Sequence, residues 1–477
     1  MRTIGGGLAQ PGGIGDQRPA EPDKIAITGA QDGLGLGGIG DPAKCDEWQA
    51  VGGGAQPADK VIRRIGPLFV LCIMAAYLDR VNVGFAALEM NRDLGFSAKV
   101  YGMGAGIFFL GYALAGIPSN LLLERVGARL WISLSMATWG VLASMMALVS
   151  SQTSFYLIRF LLGVAEAGFV PGSFLYVTLW FPRAYRGRMV GAFMAAIPFS
   201  AVVFSPLSGW ILSLGDMFGL RSWQNLFVLE GVPSVLLAVV VYFVLTDRPE
   251  HATWLDATER QALADTIDTE RKMQLGLRAT GPTPKVFSPM AVALGFVFFG
   301  LSMSNYGILL WLPQIVKGFG MSDLSVGLIT AVPFLAGGCG ALLWGWNSDR
   351  VQERPLHVAA GAFLSGLAFL VVAFTSSPVV ALVAISVAAM GFYGGGSAFW
   401  ALPGECLSAR NAAGGIALAN SIGNIGGFSG PYAIGYIKDA TGSYAMGMAV
   451  LCGCLLFSGC MALGVRARRR ALAHEYS

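Results

Sequence analysis

Twelve runs of about twenty mostly apolar residues recur along this chain, at 65–87, 100–123, 130–149, 155–179, 189–214, 223–245, 290–312, 324–346, 358–374, 379–400, 412–436 and 445–465. A helix of that length crosses the roughly 30 Å hydrocarbon core of a bilayer, where every backbone N–H and C=O must find its partner within the protein. The expected fold is an all-α membrane protein with twelve transmembrane helices in two six-helix halves. Composition agrees: 55% of the 477 residues are hydrophobic and 13% charged, against roughly 25% charged in soluble domains. Such a chain cannot cover itself with charge in water.

The six-plus-six arrangement places the chain's long polar stretch, 246–288, between two halves at 60–245 and 289–465. That stretch reads as a solvated, partly helical linker, and 466–477 as a basic tail. Two similar halves around one connector are the organisation of many secondary transporters. Lys60, Arg63, Arg64, Arg125, Arg129, Arg183, Arg186, Arg188, the linker, Arg350, Arg354, Arg410 and Arg466 through Arg470 fall on one side of the alternating spans. The opposite loops carry Arg92, Lys99, Arg221, Lys317 and Lys438. By the positive-inside rule both termini and the linker face the cytoplasm of an inner-membrane protein. Residues 1–59, rich in Gly and Pro without an apolar signal-peptide core, are expected to be a disordered tail, open to the suspicion that the true start lies downstream. The glycines at 33–38 lack the flanking strand, Lys-Ser/Thr pair and helix of a nucleotide loop.

Seven cysteines at no metal-ligand spacing suggest packing rather than a disulfide framework or metal site. His251, His357 and His474 all fall in loops or tails, so no nucleophile, base or metal set converges. Neither an enzyme nor a cofactor is expected, and channel-type pore rings are equally missing from the pattern. Glycine pairs four apart, such as Gly102/Gly106 and Gly423/Gly427, read as close helix packing.

Ionisable residues deep in apolar spans are costly and therefore candidates for function. Tyr77, Asp79, Arg80 and Asn82 lie in the first span, Arg159 and Glu166 in the fourth, Glu230 in the sixth. Asp79 and Arg80, adjacent on a helix, leave it about 100° apart, so each needs a partner elsewhere. Arg159 and Glu166 share a face about two turns, roughly 10 Å, apart. The economical expectation is that Asp79 and Arg80 exchange partners with Arg159 and Glu166 across a cavity between spans one and four. The competing reading is a static ion network that sets helix register.

The strings Tyr77-Leu78-Asp79-Arg80-Val81-Asn82-Val83-Gly84-Phe85-Ala86, Gly111-Tyr112 with Ile117-Pro118-Ser119-Asn120, Arg159-Phe160-Leu161-Leu162-Gly163-Val164-Ala165-Glu166-Ala167-Gly168 and Leu229-Glu230-Gly231-Val232-Pro233 resemble the anion:cation symporter branch of the major facilitator superfamily. The likeness runs from Lys60 to the last span. Members of that branch, sugar-acid and aromatic-acid permeases and sialin-type carriers among them, move organic anions with protons. The resemblance implies Asp79 and Glu166 as proton carriers, Arg80 as ligand of the substrate carboxylate and Arg159 as coupling partner of the acids. It also implies a gating latch in two imperfect loop motifs, one from Asn120 through Glu124, Arg125 and Arg129, the other from Gly345 through Asp349 and Arg350. The first has Asn120 where the commoner motif has Gly, and the second has Gln352 in place of the later Gly. A solvated loop is the plain alternative.

The second half offers polar and aromatic groups instead of charge. Ser397 and Trp400 share a face, as do Asn420 and Asn424. With Tyr112, Asn305, Tyr306, Trp311 and Gln314 they are candidates to complete a cavity, although interhelical hydrogen bonding is an equal reading. Ser397 and Asn420 match positions of the resembled family that touch substrate. The expected function is proton-coupled uptake of a small organic carboxylate by a monomer in the lipid bilayer, with no nucleic-acid partner. The rival is a same-fold exporter of drugs or metabolites, disfavoured by Arg80 and Arg159, which suit anions.

Overall fold

The computed structural model describes residues 57–279, 288–407 and 409–475. The expectation of a disordered tail therefore falls outside the described residues up to position 56, while positions 57–59 open the first helix. The first set of helices comprises α1 (Pro57–Leu94), α2 (Ala98–Val126), α3 (Ala128–Met145), α4 (Gln152–Glu166) continued by α5 (Phe169–Trp180), α6 (Arg183–Ser213) and α7 (Ser222–Val244). A polar helix, α8 (Ala257–Ala279), follows. The second set is α9 (Pro289–Lys317), α10 (Asp323–Val351), α11 (Arg354–Phe374), α12 (Pro378–Phe399) with the short α13 (Leu402–Cys406), α14 (Ala409–Thr441) and α15 (Ala445–Glu475).

Eleven of the described helical stretches are long and apolar enough to cross a bilayer. The twelfth, α14, has 33 residues but is diluted by Gly, Asn and Ser; it reads as a span because it packs along both α9 and α2. Serine starts many of these helices. The hydroxyls of Ser97, Ser151, Ser288, Ser322 and Ser377 each accept from the backbone N–H three residues on, satisfying an otherwise orphaned donor. The fourth expected span is broken: α4 ends at Glu166 and α5 begins at Phe169. Pro171 cannot donate to the carbonyl of Ala167, which explains a break at that point, and it leaves Glu166 at a helix end rather than in a helix middle.

The two sets touch from mid-depth to the end remote from α8. A side chain on Gly102 would have no room against the Pro431 carbonyl, nor one on Gly106 against Phe428, nor one on Gly435 against Ala98, so α2 and α14 lie backbone to backbone. Gly209 of α6 meets Gly327 of α10 in the same way. Tyr101 donates to the Leu310 carbonyl at 2.7 Å, and Trp311 to that of Pro431 at 3.0 Å. Asp439 of α14 accepts from both Ala98 N and Lys99 N at 2.9 Å. At the α8 end the ion pairs stay within one set or join it to the linker. Glu259 pairs with Lys60 and Glu270 with Arg186 at 3.0 Å, while Trp254 stacks on Trp180 at 5.7 Å. The linker helix is thus strapped to the first set.

Candidate functional site

Arg80 projects from α1 into the space between α2, α4 and α9. Its Nε donates to Glu166 Oε1 at 2.6 Å, its Nη2 stands in ion-pair contact with the same oxygen, and its Nη1 lies 3.4 Å from the Tyr306 hydroxyl of α9. The guanidinium sits over the rings of Tyr77, Phe108 and Tyr112, with centroids 5.0, 5.4 and 5.1 Å away. Cation–π attraction of this kind strengthens where water is excluded, and Arg80 is 6% exposed and Glu166 0%. Phe109 packs on Tyr306 at 4.2 Å between centroids, closing the cage with a residue from each half. Glu166 keeps one carboxylate oxygen, Oε2, buried with no hydrogen-bond partner.

The expected exchange of partners is realised for one pair only. Arg159 donates instead to the carbonyls of Gly104 and Ala105 on α2, both at 3.3 Å, and faces the Phe108 ring at 5.1 Å. α2 comes this close because Gly111 and Gly163 leave no side chains between it and α4. Asp79 turns the other way, as adjacency to Arg80 requires. It accepts from Ser234 of α7 at 2.9 Å and lies 3.4 Å from Asn82 Nδ2. Beside it Glu230 accepts from Ser208 at 2.7 Å. The sixth-span acid stood out in the sequence as a buried ionisable residue, but nothing there placed it next to Asp79. Phe108, which touches both arginines, carried no signal at all, being one apolar residue among many.

The second half contributes less than its polar residues suggested. Tyr306 reaches Arg80, and Asn305 keeps a buried Oδ1 without a partner. Asn420 is half-buried on α14. Ser397 lies exposed on α12, its hydroxyl already donating to the Gly394 carbonyl at 2.7 Å and within 3.3 Å of that of Ala341. Trp400 packs edge-on against Phe298 at 4.9 Å. Trp311 belongs to the closed end, where it is fully buried against Tyr101, rather than to a cavity. Of the loop residues, Arg129 donates its backbone N–H to Asp247 at 2.8 Å and its Nε to the Tyr242 carbonyl at 2.6 Å. Asp349 pairs with Arg354 at 3.2 Å, and Arg350 covers Trp346 at 5.6 Å. Arg125 is exposed, and the side chain of Glu124 lies outside the described residues.

The shielded Arg80–Glu166 pair is built within the first helix set and meets Tyr306 of the second, and residues 69–431 match the sequence profile of the Major Facilitator Superfamily. The chain belongs to that superfamily. It is a transporter rather than an enzyme. A putative tartrate transporter of Agrobacterium vitis is 45% identical over 404 residues, covering 85% of this chain and 90% of that protein. A quinolone resistance transporter of Acinetobacter baumannii is 38% identical over 392 residues, covering 82% and 90%. The crystal structure of a bacterial homologue of the human lysosomal transporter Spinster, inward-facing and occupied, superimposes with a TM-score of 0.70 at 17% identity, covering 87% of this chain and 98% of that one. The two half-bundles of this transporter thus sit in the fold that the resemblance implied.

Proposed function

We propose that this transporter takes up a small organic carboxylate together with protons, by alternating access. The observation that carries the reading is the Arg80–Glu166 contact. Arg80 is the one buried cation paired with an acid among the described residues, so an incoming carboxylate must take the place that Glu166 holds. A proton on Glu166 removes the competing charge, and the planar guanidinium then offers its fork to the substrate. Proton and anion in this way load together. In the proposal Asp79 and Arg159 support the coupling, the first from the far side of α1 and the second by holding α2 against α4. Tyr77 and Tyr112 line the anion site from the first half, and Ser397, Trp400 and Asn420 approach it from the second. Arg125, Arg129, Asp349 and Arg350, with Glu124, set the balance of states.

The proposed units are 60–245 and 289–465, joined by 246–288. With the basic loops and both termini cytoplasmic in the inner membrane, the end closed by the α2–α14 and α6–α10 seams is the periplasmic one in this proposal. The name of the A. vitis relative supports an organic acid as substrate. That of the A. baumannii relative favours the second reading, export of a drug-like molecule. The two separate in a thermal-shift panel, since a ligand stabilises only the state that binds it. L-tartrate and related hydroxy acids should raise Tm of the purified protein and a fluoroquinolone should not; the reverse pattern would replace uptake by export.

A further inference from the structure

Behind the arginine site, on the opposite side of α1, two more carboxyls share one dry compartment. Asp79 is 0% and Glu230 1% exposed, and the hydrogen-bonding groups beside them are neutral: Ser234, Asn82 and Trp139 for the first, Ser208 and Asn82 for the second. Neither carboxyl forms an ion pair among the described residues. Two ionised groups would stand there with Arg159 as the facing cation but no ion pair to either, at a cost that protein interiors avoid. Glu230 Oε2 is buried with no partner, an acceptor site left open. Glu230 and Ser234 are one turn apart on α7, and Asp79 and Asn82 about one turn apart on the antiparallel α1, so the four form a ladder with Glu230 on its far-end rung. The charged group facing Glu230 is Asp79, which in turn faces Glu166 and Arg159. α6 presents Ser208 to Glu230, and α3 lays Gly140 and Ser144 along α7. Nearer the far surface, Glu89 pairs with Ser222, and Asp93 with Arg221 at 2.6 Å and Trp223 at 3.0 Å.

We propose that Glu230 is a further proton-carrying carboxyl, which takes a proton on the far-end side and passes it to Asp79 within the first half-bundle. The transfer breaks an O–H bond at Glu230 and forms one at Asp79, leaving the charge of the cluster unchanged. Ser208 donates to Glu230 and Ser234 to Asp79 when that carboxyl is ionised, and each hydroxyl can accept from its own carboxyl when that one is protonated. Protons thereby reach the coupling residues by a route that does not pass through the closed seam between the halves.

The inference rests on the symport reading, and the test separates them. Full-length protein is reconstituted in liposomes, and pH-driven accumulation of external radiolabelled L-tartrate is compared with its counterflow into liposomes preloaded with unlabelled tartrate. Glu230→Gln should lower accumulation about tenfold or more while counterflow stays within about half of the unaltered protein. Glu230→Asp should recover part of the accumulation with a displaced pH profile. Ser208→Ala, which leaves the acid in place, should move the pH midpoint of accumulation by about half a unit or more, and it decides the matter if Glu230→Gln fails to reach the membrane. Accumulation by Glu230→Gln at the unaltered level, or equal loss of accumulation and counterflow with an unmoved pH midpoint in Ser208→Ala, would overturn the assignment of Glu230. Failure of the unaltered protein to accumulate tartrate under a pH gradient, with counterflow intact, would instead remove the symport reading beneath it.

Discussion

Arg80 holds its geometry through three rings, the Tyr306 hydroxyl and one acid, and the guanidinium and the acid forecast different phenotypes. Removing the guanidinium in Arg80→Ala deletes charge-assisted hydrogen bonds worth about 1.5–3 kcal/mol each, so binding of a carboxylate should weaken about a hundredfold or more in equilibrium titrations. Arg80→Lys keeps the charge but loses the planar fork that fits a carboxylate, and it should recover little of that affinity. Near-normal affinity in Arg80→Ala would move the anion site elsewhere. Glu166 makes the opposite forecast. Glu166→Gln mimics the protonated acid, frees Arg80 from its competitor and removes the charge that must be neutralised before reorientation. Counterflow of substrate should survive and accumulation driven by a pH gradient should collapse. A Glu166→Gln protein that still concentrates substrate in response to ΔpH would pass the obligatory role to Asp79.

At the scale of elements, the spans were legible because their period and length have only one physical solution in a bilayer, and the buried charges were legible because they violate that solution. Helix lengths were less so: α1 starts at Pro57, eight residues ahead of the apolar run, since its first turns contact the linker helix instead of lipid. Adjacency to Arg80 turns Asp79 away from it, but the partner it meets there, Ser234, is 155 positions away, and no local pattern encodes such a contact. Trp311 left two readings open, since a half-polar ring serves equally well in a cavity or a seam, and it takes the interhelical hydrogen bond. The linker end of the second half carries a charge cluster with its own consequence. Glu353, just before α11, accepts from Arg466 at 2.9 Å and Arg470 at 2.7 Å, both on α15. Those two guanidinium groups hold its carboxyl down at about 2, from an ordinary 4.5. A depressed carboxylate stabilises the fold above its unfolded value and loses that contribution as pH falls through its folded one. The docking of the α15 end should therefore be constant from pH 8 to about 5 and loosen only below about pH 4. Limited proteolysis at pH 7 should cut the α15 end faster in Glu353→Gln than in the unaltered chain. Equal rates would leave the cluster without a docking role.

Over the whole molecule, the closed end is held by packing between backbones, by the Tyr101 hydroxyl on the Leu310 carbonyl and by a carboxylate cap. Asp439 of the second half caps the start of α2 in the first, accepting from Ala98 N and Lys99 N at once. A carboxylate at a helix N-terminus satisfies orphaned donors and opposes the positive end of the helix dipole, together worth about 1 kcal/mol. Because it spans the two halves, this cap exists only while the far end is shut, so its loss should tilt the equilibrium between states by about fivefold without touching the substrate site. The forecast is specific to position: Asp439→Ala should enrich the far-end-open state, and Asp439→Asn, which keeps an acceptor but not the charge, should fall between. Spin labels at Arg92 and Met446, exposed residues on opposite halves of that end, report the opening as growth of a longer-distance population. Apparent affinity for substrate added from the far side should rise with that population, since only the open fraction binds it. An unchanged distance distribution in Asp439→Ala would mean that the glycine seams of α2 with α14 and of α6 with α10, with the Tyr101–Leu310 hydrogen bond, hold the far end shut without the cap.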